Sequence, residues 1–154
     1  MANTYTQITI HIVFAVQRRE NFIRPAFKDE VFKYITGIIS HKQQKLLCIN
    51  GMPDHVHILI GLEPTMALSD LVRDIKANSS RFINEQQWLR WKFEWQSGFG
   101  AFSYSRSQRP AVIRYIENQE QHHARRSFRE EYLEMLKKFE VEYNGKYVFE
   151  FYDP

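Results

Sequence analysis

The sequence predicts an α+β fold, a ferredoxin-like βαββαβ sandwich with an antiparallel sheet and additional C-terminal helices. Three observations support this prediction. Apolar residues alternate along residues 7–17, two short apolar runs flank a turn at 51–54, and apolar residues recur at helical spacing before and after this hairpin. Such a sandwich carries both of its helices on one face of the sheet. We expect the other face to be free for a ligand or a partner subunit.

Each element of the sandwich has its own signal. Strand one has apolar residues at its even positions, and helix one opens with Pro25, a residue favoured in a first turn. Turn formers join strands two and three, and helix two has a basic exposed side. The predicted elements are strand one at 7–17, helix one at 25–41, strand two at 45–50, strand three at 55–62, helix two from about 65, and strand four at 101–105.

Two more helices are predicted after the fourth strand. The first begins after Ser107 and runs to about His123, and the second begins at Ser127, which forms a capping-box pattern with Glu130. We expect the aromatic tail after this helix to add a strand or to pack across a neighbour. Because no repeat or linker interrupts these patterns, residues 1–154 are predicted to form a single domain.

The composition limits the class of protein. The chain has 154 residues, of which 44% are hydrophobic and 15% aromatic, and this content excludes disorder. No apolar run approaches the roughly 20 residues of a membrane span. The formal net charge of +3 permits a polyanionic partner, and a single cysteine, Cys48, excludes an intrachain disulfide and a multi-cysteine zinc site. We expect a soluble protein of a reducing, bacterial-type cytoplasm that acts at the nucleoid.

Two pairs of residues are candidates for chemistry. His55 and His57 alternate on predicted strand three, so both imidazoles lie on one face and can chelate one ion. Tyr115 and Gln119 are four residues apart on one helix, and His122 is roughly in line with them. Each pair also has a structural explanation. His57 can be a core residue and His55 a turn residue, Tyr115 can pack in the core beside a solvated Gln119, and His122 can interact with the helix dipole.

In combination, these motifs resemble the HUH superfamily, and within it the single-tyrosine IS200-like transposases of insertion sequences and the related REP-associated tyrosine transposases. The resemblance spans nearly the whole chain. The matching segments are Val13-Phe14, Asp54-His55-Val56-His57-Ile58-Leu59, Lys76 with Ser79-Ser80, Gly98 to Ser105, and Tyr115-Ile116-Glu117-Asn118-Gln119 with His122-His123.

The resemblance implies a role for each site residue. His55, His57 and Gln119 are expected to bind a divalent metal, Mg²⁺ or Mn²⁺, and Tyr115 is expected to be the nucleophile, with His122 as a supporting group or an alternative ligand. The expected substrates are single-stranded DNA hairpins at element ends, the expected assembly is a homodimer, and neither a membrane nor a nucleotide cofactor is expected to be involved.

The chemistry of these residue types is consistent with such a reaction. A divalent ion can polarise a phosphodiester, and two imidazoles with one amide oxygen form a neutral ligand set that leaves the ion its full charge. A tyrosine titrates near ~10 and needs a nearby cation or base to become a good nucleophile. Its attack leaves a 5′-phosphotyrosine and a free 3′-OH. A second 3′-OH can then reverse the step without ATP.

The sequence also offers candidates for DNA binding. Aromatic stacking and basic side chains are the usual means of holding single strands. We expect two of the three tryptophans, Trp88, Trp91 and Trp95, to pack in the core. The basic candidates are Arg18, Arg19, Arg24, Arg73, Lys76 and Arg81.

Three other functions are compatible with the same residues. A domesticated HUH endonuclease could process repetitive palindromes without mobilising its own gene. A catalytically silent nucleic-acid-binding dimer could use only the basic helix and the aromatic residues. A small metallohydrolase could use His55, His57 and His122, and it would form no covalent DNA adduct.

Overall fold

An antiparallel sheet of four strands organises the molecule, of which the computed structural model describes residues 3–152. The strands are β1 (Thr9–Ala15), β2 (Lys45–Met52), β3 (His55–Gly61) and β4 (Gly100–Tyr104), and the helices are α1 (Pro25–His41), α2 (Leu68–Gln86), α3 (Arg109–Glu117), α4 (Gln119–His123) and α5 (Phe128–Lys138). The strand order is β2-β3-β1-β4. This order and the antiparallel pairing confirm the predicted ferredoxin-like α+β class.

The alternation of β1 separates an apolar layer from a polar one. Ile12 and Phe14 are fully buried, and the Phe14 ring lies beneath the ammonium group of Lys76 on α2. The odd-numbered residues point to the opposite face, where Val13 is paired with His57 of β3 and His11 lies nearby. One face of the sheet therefore builds the core with α1 and α2, and the other presents histidines.

The histidine face is covered, and the expectation of a free face is wrong for this chain. Leu59 of β3 packs in one cluster with Val112 and Ile116 of α3. Phe102 of β4 meets Tyr132 of α5, with the ring centroids 6.5 Å apart. The C-terminal helices bury this face because their apolar stripes need a partner surface. The sheet therefore has helices on both sides, and the histidines lie between layers.

The hairpin of β2 and β3 is tighter than predicted. The second strand continues to Met52, which pairs with His55, so the turn comprises only Pro53 and Asp54. Gly51 lies within the strand, and a Cβ atom there would stand 2.3 Å from the carbonyl oxygen of His55. The close approach of the two backbones at the start of β3 thus requires glycine.

The helix predicted to run to His123 is divided at Asn118. This residue has φ −96° and ψ 26°, outside the helical region, and α4 begins after it. The start of α5 agrees with the predicted cap, because the Ser127 hydroxyl accepts a hydrogen bond from the backbone N–H of Glu130 at 3.2 Å.

The tail packs against its own domain, and up to residue 152 it forms no strand. Phe149 is buried against Tyr132, with the ring centroids 4.9 Å apart. Gln96 exchanges two hydrogen bonds with the backbone of Glu150, at 2.7 and 2.8 Å. Over residues 3–152, the helices are all too short or too polar to cross a membrane.

Candidate metal and tyrosine site

Three imidazoles and one carboxylate meet on the covered face of the sheet. His55 and His57 come from β3, His123 from α4 and Glu131 from α5, and one ligand atom of each lies within 4.8 Å of the others. The side chains of His55, His57 and Glu131 have no solvent-exposed surface. A buried group of this kind can hold a metal ion.

The distances within this cluster suit a common centre. The Oε1 atom of Glu131 lies 3.1 Å from Nε2 of both His57 and His123 and 3.4 Å from Nε2 of His55. Two donors bound to one ion at about 2.1 Å each would be about 3.0–3.4 Å apart. The amide oxygen of Gln119 lies 3.2 Å from Nε2 of His55 and 3.1 Å from Nε2 of His123. Gln119 therefore lies at the same site.

Each of the three imidazoles is held from behind through its Nδ1 atom. Nδ1 of His55 donates to the Asp54 carboxylate at 2.7 Å, and Nδ1 of His123 donates to the carbonyl of Arg126 at 3.1 Å. Nδ1 of His57 lies 2.7 Å from Nε2 of His11. Such hydrogen bonds orient the rings of metal-binding histidines and select their tautomer.

These contacts determine what the cluster needs chemically. Since Nδ1 of His55 and His123 carries a proton, a neutral ring directs its Nε2 lone pair toward the carboxylate of Glu131. Lone pairs that converge on a carboxylate repel each other unless a cation lies among them. A proton or a metal ion can supply that charge, and the buried donors therefore fit a divalent ion.

The pKa directions indicate where the proton resides in the ion-free protein. Burial opposes the charged form of His55, but its hydrogen bonds to Asp54 and Glu131 outweigh this effect and raise its pKa to about 9. Burial lowers the pKa of His57 despite the nearby Glu131. For Glu131, burial is outweighed by the surrounding imidazoles, which hold its pKa well below the usual range. The cluster thus contains a carboxylate in addition to the neutral donors expected from the sequence.

Tyr115 lies next to the cluster and contacts it through Glu131. The phenol of Tyr115 donates a hydrogen bond to Oε2 of Glu131, and Nε2 of Gln119 donates to the same oxygen at 3.1 Å. Burial and the Glu131 carboxylate raise the pKa of Tyr115 above its ordinary value, whereas Arg126 acts in the opposite direction. The structure therefore brings His55, His57, Gln119 and Tyr115 together.

His122 and His123 lie at different parts of the site. In one continuous helix, His122 would continue the line of Tyr115 and Gln119. In the structure it is His123, four residues after Gln119 on α4, that joins the cluster. His122 lies against the Tyr115 ring, with the centroids 4.6 Å apart.

Sequence reasoning missed His123, Glu131 and His11 as parts of this site. Glu131 did carry a signal, since it lies three residues after Phe128 and four before Met135, on the buried stripe of α5. An acidic residue on an apolar stripe is a candidate for a paired, buried charge. His11 carried no comparable signal, because only the pairing of the strands places it beside His57.

The DNA-binding candidates on α2 are distant from this cluster because α2 packs on the other face of the sheet. Arg73 pairs with Asp70 at 3.2 Å, and Arg81 donates to Asn78 at 2.8 Å. The ammonium group of Lys76 donates to the carbonyls of Gln96 and Gly98, so Lys76 connects α2 to the preceding loop of β4. In the structure, Lys76 makes contacts that stabilise the fold.

The remaining candidates lie at the surface. Arg18 and Arg19 are exposed just beyond the end of β1, and Arg24 is exposed before α1. The expectation that two of the three tryptophans pack is confirmed. Trp95 is buried and Trp88 stacks on Phe27, whereas Trp91 is 58% exposed.

Fold and site together define an α+β protein with a buried cluster of histidines and a glutamate that can hold an ion, beside a tyrosine. The family model described as IS200-like transposase matches residues 4–119, and the chain belongs to this family. The protein is therefore a transposase. His123 and Glu131 lie beyond the matched residues.

Individual proteins are also similar to this chain. The chain is 26% identical to the ISDra2 transposase TnpA of Deinococcus radiodurans over 119 residues, which are 73% of this chain and 84% of the relative. A crystal structure of a protein assigned as a transposase from Deinococcus radiodurans R1 superposes with a TM-score of 0.61 and 22% identity, over 77% of this chain and 95% of that chain. The structure of a REP-associated tyrosine transposase bound to a REP hairpin superposes with a TM-score of 0.60 and 15% identity, over 80% of this chain and 73% of that chain.

Proposed function

We propose that this transposase is a single-domain HUH enzyme that cuts and rejoins single-stranded DNA through Tyr115, with Mg²⁺ or Mn²⁺ as its cofactor. The observation that carries the proposal is the position of Glu131. One oxygen of its carboxylate faces the three imidazoles and the other accepts the hydrogen bond of Tyr115. A nucleophile and a set of metal donors that share one buried carboxylate form a single reaction site.

The roles of the ligands follow from the family and from the cluster. His55, His57 and Gln119 would hold the ion, with His123 and Glu131 as further donors. When bound, a divalent ion polarises the phosphodiester and offsets negative charge that develops on it. Asp54 and His11 orient His55 and His57 from behind. Glu131 also fixes the direction of the Tyr115 hydroxyl.

The covalent step uses Tyr115 directly. Its oxygen forms a bond to phosphorus, and the bond between phosphorus and the 3′ oxygen breaks. The phenolic proton passes through water to the released 3′ oxygen, which becomes a 3′-OH. The 5′-phosphotyrosine preserves the energy of the broken bond. A second 3′-OH can attack it, lose its proton and restore the phenol of Tyr115, which joins two ends without ATP.

The proposed substrates are single-stranded hairpins at the ends of an element. Family membership supports this class of substrate, and a protein of the same fold has been solved with a REP hairpin. The exposed Arg18, Arg19 and Arg24 remain candidates for phosphate contacts in the segment between β1 and α1. We also propose, from the family, that the protein acts as a homodimer.

The test is a denaturing-gel assay with labelled single-stranded DNA from the flanks of the gene. Wild type, Tyr115→Phe and Tyr104→Phe are compared with Mg²⁺, with Mn²⁺ and with a chelator. Tyr104 lines the same groove as Tyr115 and serves as a matched control. We expect a protein-linked DNA band with wild type and Tyr104→Phe when metal is present. Tyr115→Phe should reduce the band by about 1000-fold or more.

Each other result points to a different function. DNA binding without any adduct on a validated end sequence would indicate a silent binding protein. Metal-dependent cutting that survives Tyr115→Phe would indicate a metallohydrolase and would overturn the proposed nucleophile. An adduct formed on dispersed palindromes, but not on the gene's own flanks, would indicate a domesticated endonuclease.

A further inference from the structure

A groove of about 260 Å³ opens beside Tyr115, between α3 and α5. Its walls include both the nucleophile candidate and two cationic side chains, Arg126 and Lys138. Glu131 is the only member of the metal-binding cluster that reaches this groove. The groove therefore adjoins the cluster of imidazoles through the Glu131 carboxylate.

Arg126 is a cationic side chain close to the candidate nucleophile. Its guanidinium lies beside the Tyr115 hydroxyl and opposes the effects of burial and of Glu131 on the pKa of that group. The same guanidinium pairs with the Glu134 carboxylate. The Arg126 side chain is 29% exposed and that of Glu134 is 65% exposed. An ion pair at such an exposed position contributes little stability and can exchange for another anion.

A guanidinium beside the Tyr115 hydroxyl is suited to bind a phosphate group. Its planar fork of donors matches the oxygens of a phosphate, which it can bind with two parallel hydrogen bonds. A phosphate attacked by the Tyr115 oxygen must lie next to that oxygen, which is where Arg126 already lies. Negative charge on the phosphate oxygens is best stabilised by donors that are in place before the reaction.

We propose that Arg126 is a catalytic residue that binds the scissile phosphate of the DNA, releasing Glu134 as it does so. This assignment rests on the proposed function, because it needs Tyr115 as the attacking group. Lys138, at the same groove, is placed for a neighbouring phosphate. Arg126 forms no covalent bond in the reaction, and its charge does not change.

The experiment couples a protein change to a DNA change. Binding is measured in Tyr115→Phe protein, so that no strand is cut, with oligonucleotides that carry one neutral methylphosphonate linkage scanned along the strand. Each of three further substitutions is added to Tyr115→Phe: Arg126→Ala, Arg126→Lys and, as the matched control, Arg125→Ala. Arg125 is an exposed neighbour of the same charge. The cut position is mapped separately with wild type.

We expect Arg126→Ala to weaken binding about 10- to 100-fold. At the scissile linkage alone, the methylphosphonate should cause no further loss in Arg126→Ala, because the contact is already absent. Arg125→Ala should leave the effect of every linkage unchanged. In protein that retains Tyr115, Arg126→Ala should slow single-turnover cleavage about 100-fold. Arg126→Lys should restore only part of that rate, since lysine lacks the fork.

The possible failures are distinguishable. The first failure is a strand that is cut, but in which Arg126→Ala abolishes the methylphosphonate effect at no linkage or at a linkage other than the scissile one. This result would overturn the role of Arg126 and leave the proposed function intact. A single coupled linkage in a strand that wild type never cuts would overturn the proposed function. Losses that multiply independently at every linkage would show that Arg126 acts only through the fold.

Discussion

The charge state of His55 governs the binding of the proposed metal ion. It has no solvent-exposed surface, and its two nitrogens face the carboxylates of Asp54 and Glu131. With a pKa of about 9, it is protonated at neutral pH in the ion-free protein. A metal ligand must be deprotonated, so ion binding has to displace this proton.

We therefore predict that ion binding at pH 7–8 releases close to one proton from His55. The apparent affinity for Mn²⁺ should rise about tenfold per pH unit and level off above about pH 9. In the ion-free protein, this proton stabilises the fold below about pH 6.5, and the stabilisation is lost as pH rises through about 9. Calorimetry in buffers of different ionisation enthalpy measures the proton release.

Asp54→Asn provides the comparison for this prediction. Asp54 raises the pKa of His55, so its removal should leave His55 largely neutral at pH 8 and reduce the proton release. The affinity should also fall, by about 10- to 100-fold, because the ring loses its orienting partner. Asp29→Asn, at an exposed position on α1, should match wild type. Equal proton release in wild type and Asp54→Asn would contradict the assignment to His55.

At the scale of elements, the β2–β3 hairpin determines where His55 stands. Its two-residue turn and the close approach at Gly51 bring Met52 opposite His55 at the rim of the sheet. A Cβ atom at residue 51 would meet backbone atoms of His55 and Val56 at 2.3 and 3.0 Å. Backbone atoms cannot move aside as a flexible side chain can, so the strands themselves would have to separate.

Gly51→Ala should therefore affect both stability and metal binding. We predict a loss of about 1–3 kcal/mol in the free energy of unfolding, measured by urea denaturation. The affinity for Mn²⁺ should fall about tenfold or more, because His55 is displaced. Gly37→Ala is the matched control, since its Cβ meets nothing within 4 Å in α1, and it should stabilise the protein by about 0.5–1 kcal/mol. A Gly51→Ala protein with wild-type affinity would show that the hairpin tolerates the change.

At the scale of the whole molecule, the sheet ends in two edge strands, β2 and β4. Edge strands offer unpaired backbone groups to another chain. We predict that the protein sediments at twice its chain mass of 18.5 kDa at micromolar concentration and that the mass decreases on dilution. A mass of one chain at every concentration tested would contradict the proposed homodimer.

Local patterns predicted most of the fold. The alternation of residues 7–17, the start of α1 at Pro25 and the β2–β3 hairpin all depend on neighbours in sequence, and the structure reproduces them. The break at Asn118 and the covered second face depend on how distant segments pack. Neither feature is indicated by a hydrophobic periodicity or a turn motif in the sequence, so neither was predicted.

The site shows the same division. His55 and His57 share a strand, and Tyr115 and Gln119 stand four residues apart, so their proximity within each pair was predictable. Only the family resemblance predicted that the two pairs lie at one site. Glu131 entered the site only because α5 packs its apolar stripe against the sheet. Tertiary packing therefore brought a negative charge into the cluster, which no residue spacing in the sequence indicates.

The ring of Phe128 lies flat against the imidazole of His55, with the centroids 3.8 Å apart and the planes 3° from parallel. An aromatic ring current shields nuclei placed above its face, so the His55 ring protons should resonate upfield of those of His57 and His123. The signal of one ligand is thereby set apart in a magnetic resonance spectrum. Filling of the cluster by a diamagnetic ion could be followed at His55 by itself, in protein that carries no DNA.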